Sequence, residues 1–146
     1  MLAASSRNIM MNNRVDYIIA KQGDSFSSLN KEFNLMDFEL FKYNELTADS
    51  ALRPGQILYL QPKRNRAERG NDYHILNEGE SLYDVSQVYG VKLEKLRSKN
   101  NLKAGELPPP GTRISLRKNK GNFIDQMLKK EEPEEEEKSM KFEFQD

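Results

Sequence analysis

The chain states one pattern twice at a constant offset of 56 residues, from Tyr17 to Tyr73. Tyr17-Ile18-Ile19 returns as Tyr73-His74-Ile75, and Gly23-Asp24-Ser25 as Gly79-Glu80-Ser81. Leu40, Asn44 and Leu46 return as Leu96, Asn100 and Leu102. Pro54-Gly55 returns as Pro110-Gly111, and Leu58 and Leu60 as Ile114 and Leu116. No gap is needed to align the copies, so one supersecondary unit has been duplicated whole. Two copies are too few for a solenoid, which needs about three to bury a continuous core. Two small domains on a string are expected, at 16–61 and 73–117.

Each unit reads as β-α-α-β. Asp16–Ala20 and Tyr73–Leu76 are short apolar strands, broken by Gly23 and Gly79. Ser25 and Ser81 suit helix N-caps, and Ser81 with Asp84 fits a capping box. Phe26, Leu29 and Phe33, then Leu82, Val85 and Tyr89, form one helical face each. Asn34 and Gly90 suit a left-handed stop. Second helices are expected over Met36–Tyr43 and around Val91, Leu93 and Leu96, ending at Asn44 and Asn100. Gln56–Leu60 and Ile114/Leu116 close the units as strands. The fold class is therefore α+β, with two helices covering one face of a two-stranded antiparallel sheet that alone would be unstable.

The remaining segments read as connections. Residues 1–15 lack periodicity and are expected to be a leader or linker. Residues 62–72, with Arg64, Arg66 and Arg69, are expected to be a flexible basic linker spanning roughly 20 Å. Residues 118–146 carry six Lys/Arg against nine Asp/Glu, and Glu131–Glu137 is expected to be disordered.

Composition narrows the function. Charge balances at 23 basic and 23 acidic residues, so no nucleic-acid partner is expected. There is no cysteine and a single histidine, so no thiolate metal site, no metal and no cofactor are expected. His74 reads as a strand side chain without chemistry. No apolar run is long enough to span a membrane. No catalytic residue is expected, because the nearby acids Glu78, Glu80 and Asp84 have Gln22, Asp24 and Ser28 as counterparts. No carboxylate pair is therefore duplicated, whereas glycosidase chemistry needs two that face each other.

The ordered set Tyr-x-Ile, Gly-Asp/Glu-Ser, Asn-x-Leu and Pro-Gly-x-x-Leu/Ile-x-Leu, twice, resembles the LysM (lysin motif) family. Both copies match over 17–60 and 73–116. One departure is Asp37 where the second copy has Leu93; Phe38 is expected to take over its packing. The resemblance implies binding of N-acetylglucosamine polymers, peptidoglycan first and chitin-type oligomers second. It is also similar to the LysM tail of murein hydrolases of the endo-N-acetylglucosaminidase type, which implies an attached or upstream catalytic hydrolase domain. It implies a bacterial cell envelope location as part of an exported protein, or the cytoplasm if Met1 is the true start. A monomer is expected. The alternative is a protein-interaction or spacer module, cytosolic or in the envelope, that keeps the fold without glycan binding.

The resemblance places the groove between two loops of each unit. In the first these are Gly23, Asp24, Ser25 and Phe26 with Ala48, Asp49, Ser50, Ala51 and Leu52. In the second they are Gly79, Glu80, Ser81 and Leu82 with Ala104, Gly105, Glu106, Leu107 and Pro108. A sugar acetamide both donates and accepts, so free backbone groups and a small apolar shelf suit it. Capping alone accounts for Ser25 and Ser81, and turn geometry for Gly23 and Gly79. Phe26, Leu52, Leu82 and Leu107 either line the shelf or pack inward. Two weak sites on one chain gain avidity of up to ~10²–10⁴ on a repeating polymer.

Overall fold

The computed structural model describes residues 7–120. The elements in order are β1 (Met10–Asn12), β2 (Val15–Ile19), α1 (Phe26–Glu32), α2 (Glu39–Tyr43) and β3 (Ile57–Tyr59), followed by β4 (Tyr73–Ile75), α3 (Leu82–Tyr89), α4 (Leu93–Lys99) and β5 (Arg113–Ser115). The β-α-α-β grammar holds in both units. β2 pairs antiparallel with β3, Ile18 opposite Leu58, and β4 with β5, His74 opposite Ile114. Each unit has its own apolar core. Ile18, Leu29, Leu40 and Leu58 are fully buried in the first, and Val85, Leu96, Ile114 and Leu116 in the second.

Local chemistry explains the helices. Ser25 and Ser81 each accept a hydrogen bond from the N3 amide, 3.0 Å from Ser28 N and Asp84 N, and the N3 side chains return the bond. Gly90 sits in the left-handed region at φ 69°, its counterpart Asn34 at φ 56°. A Cβ on Gly90 would approach Asn13 Cβ at 3.1 Å and Tyr59 Oη at 3.2 Å, so glycine is needed there for space as well.

Asn44 and Asn100 are more than helix ends. Asn100 Nδ2 donates to Leu96 O (2.8 Å) and Ser115 O (3.0 Å), while Oδ1 accepts from Ser115 N (2.7 Å). Asn44 makes the same three bonds, to Leu40 O, Tyr59 O and Tyr59 N. Each buried amide thus ties the end of a helix to a strand too short to find other partners.

Four expectations are corrected. Residues 1–15 are not merely a leader, because β1 pairs with β2 and makes the first sheet three-stranded. The two-residue turn Asn13-Arg14 holds both residues at positive φ (53° and 63°), the geometry of a tight hairpin. Met-Met-Asn carries little strand signal; the open edge of β2 supplies the pairing. Second, residues 62–72 do not form a loose linker. Arg64 bridges to Val91, Ala67 N donates to Leu116 O (3.0 Å), and Lys63 and Ala67 are buried. Third, α2 begins at Glu39 rather than Met36, with Glu39 Oε1 accepting from Met36 N in a turn. Fourth, Phe38 does not replace the packing lost at Asp37. It stands 48% exposed, with the Lys42 ammonium 5.9 Å from its ring. The expected acidic tail lies outside the described residues beyond Lys120.

The units are also not separate beads. Gln87 Nε2 donates to Asn44 Oδ1 (3.0 Å) and Ile57 O (2.9 Å). The Tyr59 hydroxyl donates to Gln87 O (2.7 Å), and the Tyr83 hydroxyl to Asn44 O (2.8 Å). The buried Lys63 ammonium reaches Glu45 Oε1 (2.5 Å) and Gln87 Oε1 (2.7 Å), and Glu45 also accepts from Leu93 N (2.9 Å). Burial pushes Lys63 below its ordinary value, with Glu45 opposing that shift. This seam is polar, so its specificity comes from hydrogen bonds rather than apolar area.

Two outcomes are expected. Asn100→Ala strands buried backbone groups and costs about 2–4 kcal/mol in chemical denaturation. Asn44→Ala costs more than that, since Gln87 also loses a partner. Stability should also fall in alkali. Burial pushes the Tyr59 phenol up to about 12 and the Tyr83 phenol well above 10.0. Unfolded tyrosines ionise near pH ~10, so the neutral phenols contribute fully below that value. The Tyr59 contribution is lost as pH rises from about 10 to about 12, and the Tyr83 contribution is lost over a range that extends higher. Denaturation midpoints of the native chain should therefore drop more steeply across this window than those of a Tyr59→Phe/Tyr83→Phe variant.

Candidate functional site

The topology brings two loops to one end of each sheet. β2 leaves the first sheet at Ile19, and β3 enters opposite it at Ile57. The second sheet repeats this with Ile75 and Arg113. The strand-to-helix turn and the helix-to-strand loop therefore meet the sheet at the same end.

In the turns, side chains are consumed by local bonds. Asp24 Oδ2 accepts from Lys21 N (2.6 Å), and Glu80 Oε1 from Asn77 N (2.9 Å). Ser25 and Ser81 are held by their capping boxes. Gly23 and Gly79 stand exposed at φ 90° and 81°, and no described bond uses their backbone groups. In the second loops, Ser50 Oγ accepts from Thr47 N (3.0 Å) and Glu106 Oε1 from Lys103 N (2.6 Å). Ala48, Asp49 and Ala51, and Ala104, Gly105 and Leu107, are exposed, and their main chain takes part in no described hydrogen bond. Each unit thus leaves unpaired backbone amides and carbonyls in two loops at one end, the kind of surface that loops can offer and strands cannot.

The apolar candidates separate. Leu82 is 5% exposed and belongs to the second core, so it packs inward and leaves the expected site. Phe26 and Leu52 are half-buried against the first core, and Phe26 meets Phe41 edge-on at 5.6 Å. Leu107 is 57% exposed, with Pro108 half-buried beside it. Its counterpart Ala51 is smaller, so the two loops offer different apolar surfaces.

The anchoring of the turns was not legible in the sequence. Arg7 grips Asp24 bidentately, Nη1 to Oδ2 at 2.7 Å and Nη2 to Oδ1 at 3.0 Å. It also reaches Glu32 and Ile19 O, which ties the turn to α1 and β2. The Arg7 bond holds Asp24 below the ordinary carboxylate range. The second unit replaces this arginine with His74, whose Nε2 lies 2.8 Å from Glu80 Oε1 and whose Nδ1 lies 3.0 Å from the Tyr89 hydroxyl. Burial raises Glu80, but the bonds from His74 and the Asn77 amide outweigh it and hold the carboxyl below its usual value. His74 therefore has a definite positional role.

Comparison with known proteins decides the family. The LysM domain model matches residues 18–61 and 74–117. The chain belongs to the LysM family. A curated relative, the probable peptidoglycan endopeptidase LytE of Bacillus subtilis (strain 168), is 30% identical over 92 residues, covering 58% of this chain and 27% of that protein. Among solved structures, the spore cortex-lytic enzyme SleL of Bacillus cereus is 28% identical, covering 73% of this chain and 23% of that one, with a TM-score of 0.31. SleL of Bacillus megaterium QM B1551 is 22% identical, covering 72% and 23%, with a TM-score of 0.30. The chain thus spans about a quarter of the length of these relatives. LysM domains generally bind N-acetylglucosamine glycans such as peptidoglycan, and LysM is a binding module rather than a catalytic one. No helix among the described residues is long and apolar enough to cross a membrane.

The two leucines give a direct check. Leu82→Ala should lose about 2–5 kcal/mol to a core cavity. Leu107→Ala should stay within about 0.5 kcal/mol of the native chain in the same urea titration.

Proposed function

We propose that this LysM pair binds N-acetylglucosamine glycans, peptidoglycan first, and holds a wall-cleaving enzyme on its substrate in the cell envelope. The observation that carries this reading is the exposed main chain without a described bond at Gly23, Ala48, Asp49 and Ala51, and at Gly79, Ala104, Gly105 and Leu107. An acetamide needs one donor and one acceptor, and these loops offer both without moving a side chain. Arg7–Asp24 and His74–Glu80 fix the turns beforehand, which reduces the ordering cost of binding. Leu107 and the half-buried Phe26 and Leu52 supply apolar surface for a sugar face or methyl group. The relatives' printed activities, a probable peptidoglycan endopeptidase and spore cortex-lytic enzymes, support a wall polymer as the ligand.

The polar seam changes how two sites cooperate. With a flexible linker, effective concentration depends on linker length. Here the separation of the grooves is set by packing, so avidity requires a glycan whose repeat matches that separation. The test is retention on insoluble peptidoglycan and chitin, followed by amide-shift titration with N-acetylglucosamine oligomers. Shifts should cluster at residues 23–26, 48–52, 79–82 and 104–108. Absence of both retention and shifts at millimolar oligomer would replace this reading with that of an interaction or spacer module.

A further inference from the structure

A concentration of positive charge lies away from both candidate grooves. A cavity of about 350 Å³ opens where the β1–β2 hairpin, the connecting segment and the end of β5 meet. Arg14, Arg64, Arg66, Arg69 and Arg117 line it, with Glu68 as the single acid. Arg117 is already engaged, donating to Ala67 O and lying 3.6 Å from Asp72. Among the described residues, none of the ion pairs neutralises Arg14, Arg64, Arg66 or Arg69. The field reaches inward: burial first, then Lys95 and Arg66, push the Lys99 ammonium below its ordinary value.

The cavity is built rather than incidental. Asn13 is 3% exposed, and its Nδ2 donates to Arg66 O (2.9 Å) and Gly90 O (3.0 Å), pinning the hairpin to the connecting segment. Arg14 is held at φ 63°, a conformation that costs a side-chain-bearing residue energy and recurs at functional sites. The connecting segment is fixed by the Arg64–Val91 bridge and by Ala67 N donating to Leu116 O. The walls come from both units and the segment between them, so a lone unit could not form this cavity. Guanidinium groups are suited to bidentate contact with carboxylate and phosphate, and every cation in the lining is arginine.

We propose that this cavity is a binding site for a multiply charged oxyanion, the chemistry shared by phosphate and carboxylate groups. It is distinct from the glycan grooves and does not depend on them. Occupation would add an ionic contact to a ligand engaged elsewhere on the chain.

The test is calorimetric titration of the full chain at low salt with inorganic tripolyphosphate and, separately, with citrate. Saturable binding is expected, weakened by added salt. Tighter tripolyphosphate assigns phosphate as the preferred source, and tighter citrate assigns carboxylate. The R64Q/R66Q/R69Q variant should lose about tenfold or more in affinity, with an unchanged thermal midpoint and unchanged oligomer shifts. A K21Q/K31Q/K42Q variant, equal in charge loss but outside the lining, should bind like the native chain. Replacing Glu134 to Glu137 by Gln reports on the chain's own acids: tighter tripolyphosphate binding in that variant shows a real site for which those acids compete. Absence of saturable binding in the native and Glu→Gln chains, or equal losses in the arginine and lysine variants, overturns the proposal.

Discussion

Asn44 is the side chain on which the arrangement of the molecule depends. Its amide closes the first unit by joining the end of α2 to β3. Its Oδ1 also receives Gln87, and its backbone carbonyl receives Tyr83, so the same residue begins the seam between the units. Asn100 performs only the first task. Duplication supplied the shared role, and divergence of neighbouring positions added the second. Tyr59 stands where the second unit has Ser115, Tyr83 where the first has Ser27, and Gln87 where the first has Lys31. The two phenols and the Gln87 amide reach across to the other unit.

A seam of this kind fixes orientation with little apolar burial. Buried polar groups that are fully paired stabilise modestly, but a misaligned pairing leaves them unsatisfied at high cost. Lys63 follows the same rule. Its ammonium is withdrawn from water yet meets Glu45, Gln87 and Ser86, so alternative arrangements of the units would strand a charge. The same docking creates the arginine-lined cavity, because its walls belong to different parts of the chain.

Both candidate grooves depend on anchored turns, and the two units reach that end with different chemistry. Asp24 is held by an arginine from before the first strand, Glu80 by a histidine within the strand whose other ring nitrogen meets a tyrosine from the helix. The acid is common to both because it also accepts a local amide bond, to Lys21 N or Asn77 N. Its place in the repeated motif is thereby explained without direct ligand contact. The main chain at Gly23 and Gly79 beside it is exposed and takes part in no described hydrogen bond.

The β-α-α-β units, the N-caps at Ser25 and Ser81, the capping box at Ser81, the left-handed stops at Asn34 and Gly90 and the inward faces of the helices were readable in the amino-acid order alone. Each rests on interactions within a few residues, and all but the capping box were stated twice. The sequence left Leu82 open between shelf and core and expected Phe38 to pack inward, whereas the structure buries Leu82 and exposes Phe38. Strand β1, the docked connecting segment, the Arg7–Asp24 and His74–Glu80 anchors and the Asn44–Gln87 seam came only from the tertiary structure. The Arg7 anchor, the docked segment and the seam join residues 17 to 77 positions apart, while β1 pairs with β2 across three to seven positions and His74 reaches Glu80 across six. Local propensity carries no record of such partners, because a polar side chain on a short strand or connecting segment looks solvent-exposed until another part of the chain folds against it.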